Sequence, residues 1–385
     1  MKKKILISGA AMVIVIGITV GFIVIPMLIT PPPDDGESGW SWPTFGWSTS
    51  TLEEQNMSSS LLDDMNFFIF RKQIEIDSIS IIKNGYLVYE EYYKDSLPNP
   101  DRIFTVQVEP ASMAPILLND TQKHVLYSCT KSITSLLIGI ALDYGFIDNI
   151  SQTFFEFYPE RWNSTYDARK LNITIEHLLR MEAGFLGEFA EIPYVTYGQD
   201  YLDHLLSMPL LYDPGTPYNN TWGSYSNAGT TLLSAIINKT TGRLTWDFAQ
   251  EYLFDPIGIP RENLHWDEID GLNTGSSGIY MYPQDMAKIG YLCLNNGTWN
   301  GTQIVSSQWI QRSQTDNPGP VPYGYLWWIN SIQSPTYYFA GGSYGQKIII
   351  VNEIDMVIVL TAHADSFQDQ IIRDYIIASH FAAIT

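Results

Sequence analysis

Residues 127–135 read Tyr-Ser-Cys-Thr-Lys-Ser-Ile-Thr-Ser, and the apolar run that continues to Leu142 predicts a helix here. Ser128 and Lys131 stand three positions apart, so a helix places both side chains on one face, one turn apart. A serine hydroxyl becomes a good nucleophile when a neighbour accepts its proton, and a desolvated lysine can do so. The helix N-terminus adds a positive dipole end near Ser128. Alone, Ser-x-x-Lys is explained more readily by a capping serine and a solvated lysine.

A second segment supplies further proton-transfer groups. Residues 225–227 read Tyr-Ser-Asn and open a predicted helix at Gly229–Ile237. A tyrosine beside a lysine can pass a proton between nucleophile and leaving group, which is a role open to Tyr225. Asn227 can hydrogen-bond Lys131 and orient a substrate amide. An ordinary surface turn would have the same composition.

A third segment lies near the C-terminus. Residues 339–346 read Phe-Ala-Gly-Gly-Ser-Tyr-Gly-Gln and lead into a predicted strand at Lys347–Val351. A glycine-flanked strand edge lets a substrate approach the backbone, where an N–H group can stabilise an oxyanion. By itself the segment is equally typical of a glycine-rich hairpin turn.

Together and in this order, the three segments resemble the signature of the serine β-lactamase and penicillin-binding-protein superfamily. That signature is Ser-x-x-Lys, a Ser/Tyr-x-Asn segment and a late Lys-Thr-Gly or variant. The tyrosine at the first position of the second segment, Tyr225, resembles the pattern of the class C branch. This branch includes CubicO-type esterases, D-peptidases and 6-aminohexanoate-dimer hydrolases. Further resemblances lie at 175–184, 282–290 and 323–328, so the likeness covers about 61–385.

The resemblance implies roles residue by residue. Ser128 would be the acylated nucleophile, Lys131 its proton acceptor, and Tyr225 the general acid and base. Asn227 would contact substrate or the lysine. The implied activity is hydrolysis of an ester or amide bond in a small molecule or short peptide, without a cofactor.

The resemblance places the oxyanion hole partly in the third segment, but this segment also departs from the family pattern. The backbone N–H groups of the nucleophile and of Ser343, next to Gly342, would hold the oxyanion. The expected Lys or His is replaced by Ala340, and that cation normally helps to bind a substrate carboxylate. The change lowers the expectation of β-lactamase or D-Ala-D-Ala-type carboxypeptidase activity, although Lys347 or Arg180 could supply a cation. A catalytically inactive binding module on the same fold is a further alternative.

The β-rich runs stand at both ends of the domain and predominantly helical sequence lies between them. The expected fold is therefore α+β: an antiparallel sheet built from both chain ends with flanking helices, plus a mainly helical insertion at roughly 148–290. The predicted elements are two hairpins, Ser78–Ile82 with Tyr86–Tyr92 and Lys347–Val351 with Met356–Ala362, and helices at Ser132–Leu142, Ile175–Met181 and Phe367–Ala383.

Charge and histidine spacing exclude other functions. The net charge of −20 argues against binding to nucleic acid or to anionic lipid headgroups. No metal site is expected, since the six histidines show no metal-ligand spacing. His177 is expected to pack or cap its helix, and His363 to lie at the surface. Glu182 and Asp213 are expected to be solvated, and both cysteines, Cys129 and Cys293, to be free and packed.

The N-terminus predicts an exported protein. Three lysines precede an uncharged apolar stretch from Ile5 to Ile29, long enough to span a bilayer, so residues 1–29 are interpreted as an anchor with the C-terminal domain outside the cytoplasm. Secretion after signal cleavage is the alternative. Residues 30–60 are interpreted as a linker, whose tryptophans at 40, 42 and 47 either lie at the membrane interface or pack on the domain. Many glycosylation sequons agree with export: Asn56, Asn119, Asn163, Asn172, Asn219, Asn238, Asn296 and Asn300.

Overall fold

A computed structural model describes residues 42–93, 123–187, 200–219, 224–315, 317, 319–332 and 334–383. The predicted anchor at 1–29, the first part of the predicted linker, Trp40 and Asn119 lie outside the described residues. Within the described part, no helix is both long and apolar enough to cross a bilayer.

The main sheet joins the two ends of the domain. Its six strands are β1 (Ile76–Lys83), β2 (Tyr86–Tyr92), β10 (Trp328–Asn330), β11 (Tyr337–Gly342), β12 (Gln346–Val351) and β13 (Met356–Ala362). The spatial order is β10-β11-β12-β13-β1-β2, and every neighbouring pair is antiparallel. Both predicted hairpins are therefore confirmed, and β1 pairs with β13 as expected for a sheet built from both chain ends.

The remaining strands are short and lie, along the chain, between β2 and β10. They are β3 (His124–Val125), β4 (Leu264–Trp266), β5 (Glu268–Ile269), β6 (Leu272–Asn273), β7 (Ile279–Met281), β8 (Thr298–Trp299) and β9 (Thr302–Gln303). β3, β7 and β4 form a small sheet, and β3 leads directly into the Ser128 segment.

Eleven α-helices are described. They are α1 (Ser59–Lys72), α2 (Cys129–Asp143), α3 (Phe154–Phe157), α4 (Ile175–Leu179), α5 (Tyr201–Ser207), α6 (Asn227–Thr241), α7 (Thr245–Ala249), α8 (Pro283–Leu294), α9 (Ser307–Ser313), α10 (Gln368–Gln370) and α11 (Ala378–Ala382). A π-helical segment, Ile371–Ile377, joins α10 to α11, so the predicted C-terminal helix is continuous from 368 to 382.

Both faces of the main sheet are buried, because successive side chains of a strand point to opposite faces. On β12, Ile348 belongs to the apolar cluster shared with α2, α6 and α8. The next residue, Ile349, belongs to a second cluster shared with α1 and the C-terminal helix. The sheet is thus the middle layer of three, with α2 lying between it and the insertion helix α6.

Helix α8 packs directly on the main sheet, although its residues overlap the predicted insertion. A Cβ atom added at Gly290 would lie 2.5 Å from Val357 Cγ1 and 2.9 Å from Ile348 Cγ2. Glycine therefore allows the helix to approach the sheet closely. The helical insertion consequently ends before Pro283.

The predicted linker extends too far along the chain. Trp42 packs against the rings of Tyr291 and Trp299, with centroids 5.5 and 5.4 Å away, and Trp47 lies 5.5 Å from Tyr291. Burial of these indoles against the domain removes apolar surface from water. Residues 42–60 are therefore part of the domain, and for these two tryptophans packing, rather than a membrane interface, is what the structure shows.

Candidate active site

The turn before α2 carries Ser128, whose hydroxyl does not cap the helix. Ser128 is the N-cap residue of α2, yet its side chain makes no capping hydrogen bond. Tyr127 adopts a left-handed conformation with φ 46°, which L-residues rarely adopt, and this turns the chain into the helix. The capping explanation of the motif therefore fails, because the Ser128 hydroxyl does not serve the helix.

Lys131 is buried, not solvated. Its side chain is 1% exposed, and Nζ lies 3.0 Å from Ser128 Oγ, 2.6 Å from Asn227 Oδ1 and 3.0 Å from the Ser276 carbonyl oxygen. The contact with Asn227 anticipated from the sequence is present. A lysine is rarely this deeply buried without partners, so these three acceptors account for its position.

The three contacts of Lys131 suit both of its protonation states. The oxygens of Asn227 and Ser276 can only accept, so they fix two lysine hydrogens. The contact with the Ser128 hydroxyl can run in either direction. A charged lysine donates its third hydrogen to Ser128, and a neutral lysine accepts the hydroxyl proton without moving. The geometry thus allows a proton to pass between these two side chains.

The second segment supports Lys131 from the other side. Ser226 caps α6, since its Oγ accepts a hydrogen bond from Gly229 N at 3.2 Å. The cap fixes the turn that carries the preceding Tyr225, and the Lys131 ammonium lies 4.7 Å from the centre of the Tyr225 ring. An ammonium at this distance from an aromatic face is stabilised by the ring quadrupole. Tyr225 and Lys131 are therefore in direct contact.

The third segment packs directly against the turn that carries Ser128. A Cβ atom at Gly342 would lie 2.3 Å from the Leu126 carbonyl oxygen, so only glycine permits this approach. At the start of α2, the Cys129 thiol donates to the Gln346 carbonyl at 3.3 Å. Gln346 in turn spans β12 and β13, because its Nε2 donates to Ala362 O at 2.6 Å. The strand end that carries Ser343 is thus tied to both the nucleophile helix and the neighbouring strand.

An aromatic wall adjoins the site. The Tyr225 ring stacks on Trp328 at 6.0 Å, and Trp328 also contacts Tyr323 at 4.8 Å and Phe339 at 6.4 Å. Trp328 and Phe339 are both half-buried. These rings form an apolar surface beside Tyr225 that suits the apolar part of a small ligand.

Both substitute cations contact other groups, and one of them lies against Phe339 of the aromatic wall. Ala340, at the position of the missing cation, is completely buried. The Lys347 ammonium lies 4.7 Å from the Phe339 ring, and Lys347 precedes Ile348 on β12, so its side chain points to the other face of the sheet. Arg180 pairs with Glu182 at 3.1 Å.

The prediction that Glu182 is solvated is wrong. Its side chain is 4% exposed, and burial raises the pKa of Glu182 to about 7, against the opposing effect of Arg180. Asp213 is exposed as expected and pairs with Arg169 at 2.8 Å. His177 helps to cap α4: its backbone N–H donates to Thr174 Oγ1, and its Nδ1 accepts from Thr174 N.

Sequence reasoning missed the loop that holds Lys131. Ser276 supplies a backbone carbonyl to the lysine, and the neighbouring Gly275 carbonyl accepts from Thr134 Oγ1 at 2.8 Å. A Cβ atom at Gly275 would lie 2.2 Å from Thr230 O, so the loop passes α6 only because it has glycine there. The run of small residues at 273–278, Asn-Thr-Gly-Ser-Ser-Gly, is the signal that could have indicated a close approach.

Among the described residues, no group of three or more His, Cys, Asp or Glu side chains is arranged to hold a metal ion. Both cysteines are free and buried. His363 is 43% exposed and lies 3.3 Å from Asp77.

Comparison with known proteins places these features in a family context. Residues 68–381 match the family model described as beta-lactamase. Over 210 residues, 49% of this chain, the sequence is 22% identical to the 6-aminohexanoate-dimer hydrolase of Paenarthrobacter ureafaciens, and the match spans about half (50%) of that relative's length. A Bacillus anthracis protein assigned as a 6-aminohexanoate-dimer hydrolase superposes with a TM-score of 0.65 at 19% identity, covering 87% of both chains. A class C β-lactamase variant superposes with a TM-score of 0.59 at 16% identity, covering 85% of this chain and 97% of the other.

Proposed function

The chain belongs to the beta-lactamase family and is a serine hydrolase, and we propose that it cleaves an ester or amide bond through an acyl-enzyme on Ser128. The observation that carries the proposal is the buried contact between Lys131 Nζ and Ser128 Oγ at 3.0 Å. A buried amine beside a hydroxyl with no capping role is the arrangement that activates a serine.

In the proposed acylation step, Ser128 Oγ attacks the substrate carbonyl carbon as its proton passes to Lys131. The C–O or C–N bond of the substrate then breaks, and the leaving group takes a proton from Tyr225. Tyr225 regains a proton from Lys131, with which its ring is in contact. In deacylation a water attacks the acyl carbon and gives a proton to Tyr225 or Lys131. The bond between the acyl carbon and Ser128 Oγ then breaks, the carboxylic acid leaves, and the same proton passes to Ser128 Oγ, which restores the starting state.

The proposed oxyanion hole consists of the backbone N–H groups of Ser128 and Ser343. Its support is the packing of the third segment on the nucleophile turn, where Gly342 lies against the Leu126 carbonyl. Donors fixed before reaction stabilise a developing oxyanion without reorganisation, and one such donor is worth about 10²–10³-fold in kcat. Asn227 would hold Lys131 in place throughout.

The substrate is proposed to be an ester or amide that does not need a cation at position 340. Ala340 is an apolar, completely buried residue where the family signature has a cation. A carboxylate bound in this site would lose hydration without the ion pair that such a cation provides. This favours simple ester or amide hydrolysis over β-lactam hydrolysis or D-Ala-D-Ala-type carboxypeptidase action, and the aromatic wall at Trp328 favours an apolar group.

The proposal is tested by turnover of nitrophenyl esters, short amides, D-peptides and β-lactams by the wild type and by Ser128→Ala. We expect ester or amide turnover that falls by at least about 10³-fold in Ser128→Ala. Ser135→Ala is the matched control: Ser135 lies two turns further along α2, and within the described part of the chain its buried hydroxyl has no partner to lose. Equal loss in both variants, or no turnover by the wild type, would contradict the proposal.

We also propose that residues 1–29 anchor the domain to a membrane, with the hydrolase outside the cytoplasm. The support is the uncharged apolar run from Ile5 to Ile29 behind three lysines. The full chain should stay with membranes after carbonate extraction, and a chain lacking 5–29 should not. If the mass of the mature protein shows that its N-terminus lies after residue 29, the cleaved-signal alternative is established instead.

A further inference from the structure

Two strained residues stand on either side of the proposed oxyanion hole. Tyr127 precedes Ser128 and has φ 46°, and Tyr344 follows Ser343 and has φ 61°. Both are bulky residues in the left-handed region, where Cβ lies too close to neighbouring backbone. Such conformations persist only where surrounding contacts hold them, and they are concentrated at functional sites.

The two side chains contact each other. The rings of Tyr127 and Tyr344 have centroids 5.2 Å apart and are inclined by 57°, within the range of favourable aromatic pairs. Tyr127 is half-buried and Tyr344 is 37% exposed, so the contact lies at the edge of the site. Burial, with a smaller effect from Tyr344, raises the pKa of Tyr127, so the pair acts through packing of neutral rings.

The ring contact adds to other contacts between the same two segments, among them the hydrogen bond from the Cys129 thiol to the Gln346 carbonyl. Gly342 lies so close to the Leu126 carbonyl that a Cβ atom there would be 2.3 Å from the carbonyl oxygen. Each tyrosine is adjacent in sequence to one of the two proposed oxyanion donors. The separation of those donors therefore depends on the conformations of Tyr127 and Tyr344.

We propose that Tyr127 and Tyr344, which we call the tyrosine pair, are positioning residues that set the spacing of the two oxyanion N–H groups. The inference rests on the proposed function and adds to it. The ring contact holds the two left-handed turns in register, so that both N–H groups point to one place before substrate arrives. A misplacement of about 1 Å in such a site can cost about 10²-fold in rate, so a single aromatic contact is sufficient to matter.

The test is the rate at which a fluorophosphonate probe labels Ser128, followed by intact mass, together with kcat and KM for the ester that the wild type turns over best. Tyr344→Leu should slow labelling by about 10-fold and lower kcat with KM within about 2-fold, whereas Tyr344→Phe, which keeps the ring, should match the wild type. Tyr344→Gly removes the ring and the strain together. It should be more stable than Tyr344→Leu and label as slowly.

A double-variant cycle separates positioning from general structure. Because Tyr127→Leu and Tyr344→Leu remove the same contact, the double variant should label about as slowly as either single variant. Tyr144→Leu is the matched control. Tyr144 ends α2, about 24 Å along the helix from Ser128, and its ring lies 4.8 Å from Tyr252. This variant should lose stability without slower labelling.

Different outcomes overturn different parts. A wild type that labels at Ser128, with Tyr344→Leu or Tyr344→Gly labelling equally fast, overturns the tyrosine pair alone. A change in KM without a change in kcat also overturns it, because the rings would then bind substrate and not position the donors. A wild type that is not labelled overturns the proposed function and this inference with it. If Tyr127→Leu does not fold, the three Tyr344 variants decide the question.

Discussion

Replacement of Lys131 by methionine should remove activity while leaving the fold intact. Methionine fills a similar volume without the ammonium, which lies 3.0 Å from Ser128 Oγ, 2.6 Å from Asn227 Oδ1 and 3.0 Å from Ser276 O. The variant therefore loses the proposed proton acceptor and three hydrogen bonds at once. A positioned general base contributes about 10²–10⁴-fold, so kcat should fall by about that factor.

The effect of Lys131→Met on stability should be small, because two large contributions oppose each other. The oxygens of Asn227 and Ser276 lose their lysine donor at a buried position, which costs about 1–3 kcal/mol each. The variant also avoids the cost of burying an ammonium that is 1% exposed, which is several kcal/mol. The free energy of unfolding should change by no more than about 2 kcal/mol, and Tm by no more than about 5 °C.

The assay measures ester turnover, thermal unfolding and circular dichroism on the same preparations. Lys170→Met is the matched control, since Lys170 is also 1% exposed and its ammonium donates to the Leu206 carbonyl at 2.5 Å. Its kcat should stay within about 2-fold of the wild type, because Lys170 lies in the helical insertion and has no contact with Ser128. Retention of more than a tenth of kcat by Lys131→Met, or a loss explained by the unfolded fraction, would show that Lys131 is not the proton acceptor.

Three further predictions follow from burial and backbone contacts. Burial lowers the pKa of His124 from 6.5 to about 4, so the unfolded chain binds this proton more tightly than the folded protein does. The stability that depends on neutral His124 is fully present above pH 6.5, and about 3 kcal/mol of it is lost as the pH falls to 4. His124→Gln should flatten urea-unfolding stability over that range, and an unchanged slope would contradict this. Gly342→Ala places a methyl 2.3 Å from the Leu126 carbonyl and should lower kcat by at least about 10-fold in ester assays, with wild-type kinetics as the contrary result. Burial raises the pKa of Cys129 to about 12 and also raises the pKa of Cys293. A thiol reagent should therefore react with neither cysteine in the native protein and with both in denaturant. Rapid labelling of the native protein would disprove the buried placement.

The sheet and its two hairpins could be predicted because their signals are local. Asn84-Gly85 fixes one hairpin, and the continuous apolar, β-branched runs of the last two strands indicate the other. Helix α2 begins three residues before the predicted Ser132, because the polar residues of the motif are buried within the helix and not exposed in a loop. Element boundaries depend on tertiary burial, which the local pattern does not contain.

The groups of the candidate site were predictable only where a side chain carries the signal. Ser128, Lys131, Tyr225 and Asn227 stand out by type and order, and the structure brings them together. The Ser276 carbonyl does not stand out, because every residue has a carbonyl and only the path of the chain selects one.

Two other surroundings of the site depend on tertiary packing. Glu182 was expected in solvent and is buried beside Arg180, because the loop after α4 folds back onto the domain. Trp42 packs on Trp299, more than 250 positions away in sequence, and composition alone could not choose between that contact and a membrane interface.

The proposed acyl-enzyme on Ser128 can be detected by intact mass after brief reaction with a nitrophenyl ester or a fluorophosphonate. We expect one adduct per chain, mapped by peptide sequencing to Ser128 and not to Ser132 or Ser135. We expect no adduct in Ser128→Ala and a much slower one in Lys131→Met. An adduct on another residue, or equal labelling of wild type and Ser128→Ala, would show that Ser128 is not the nucleophile.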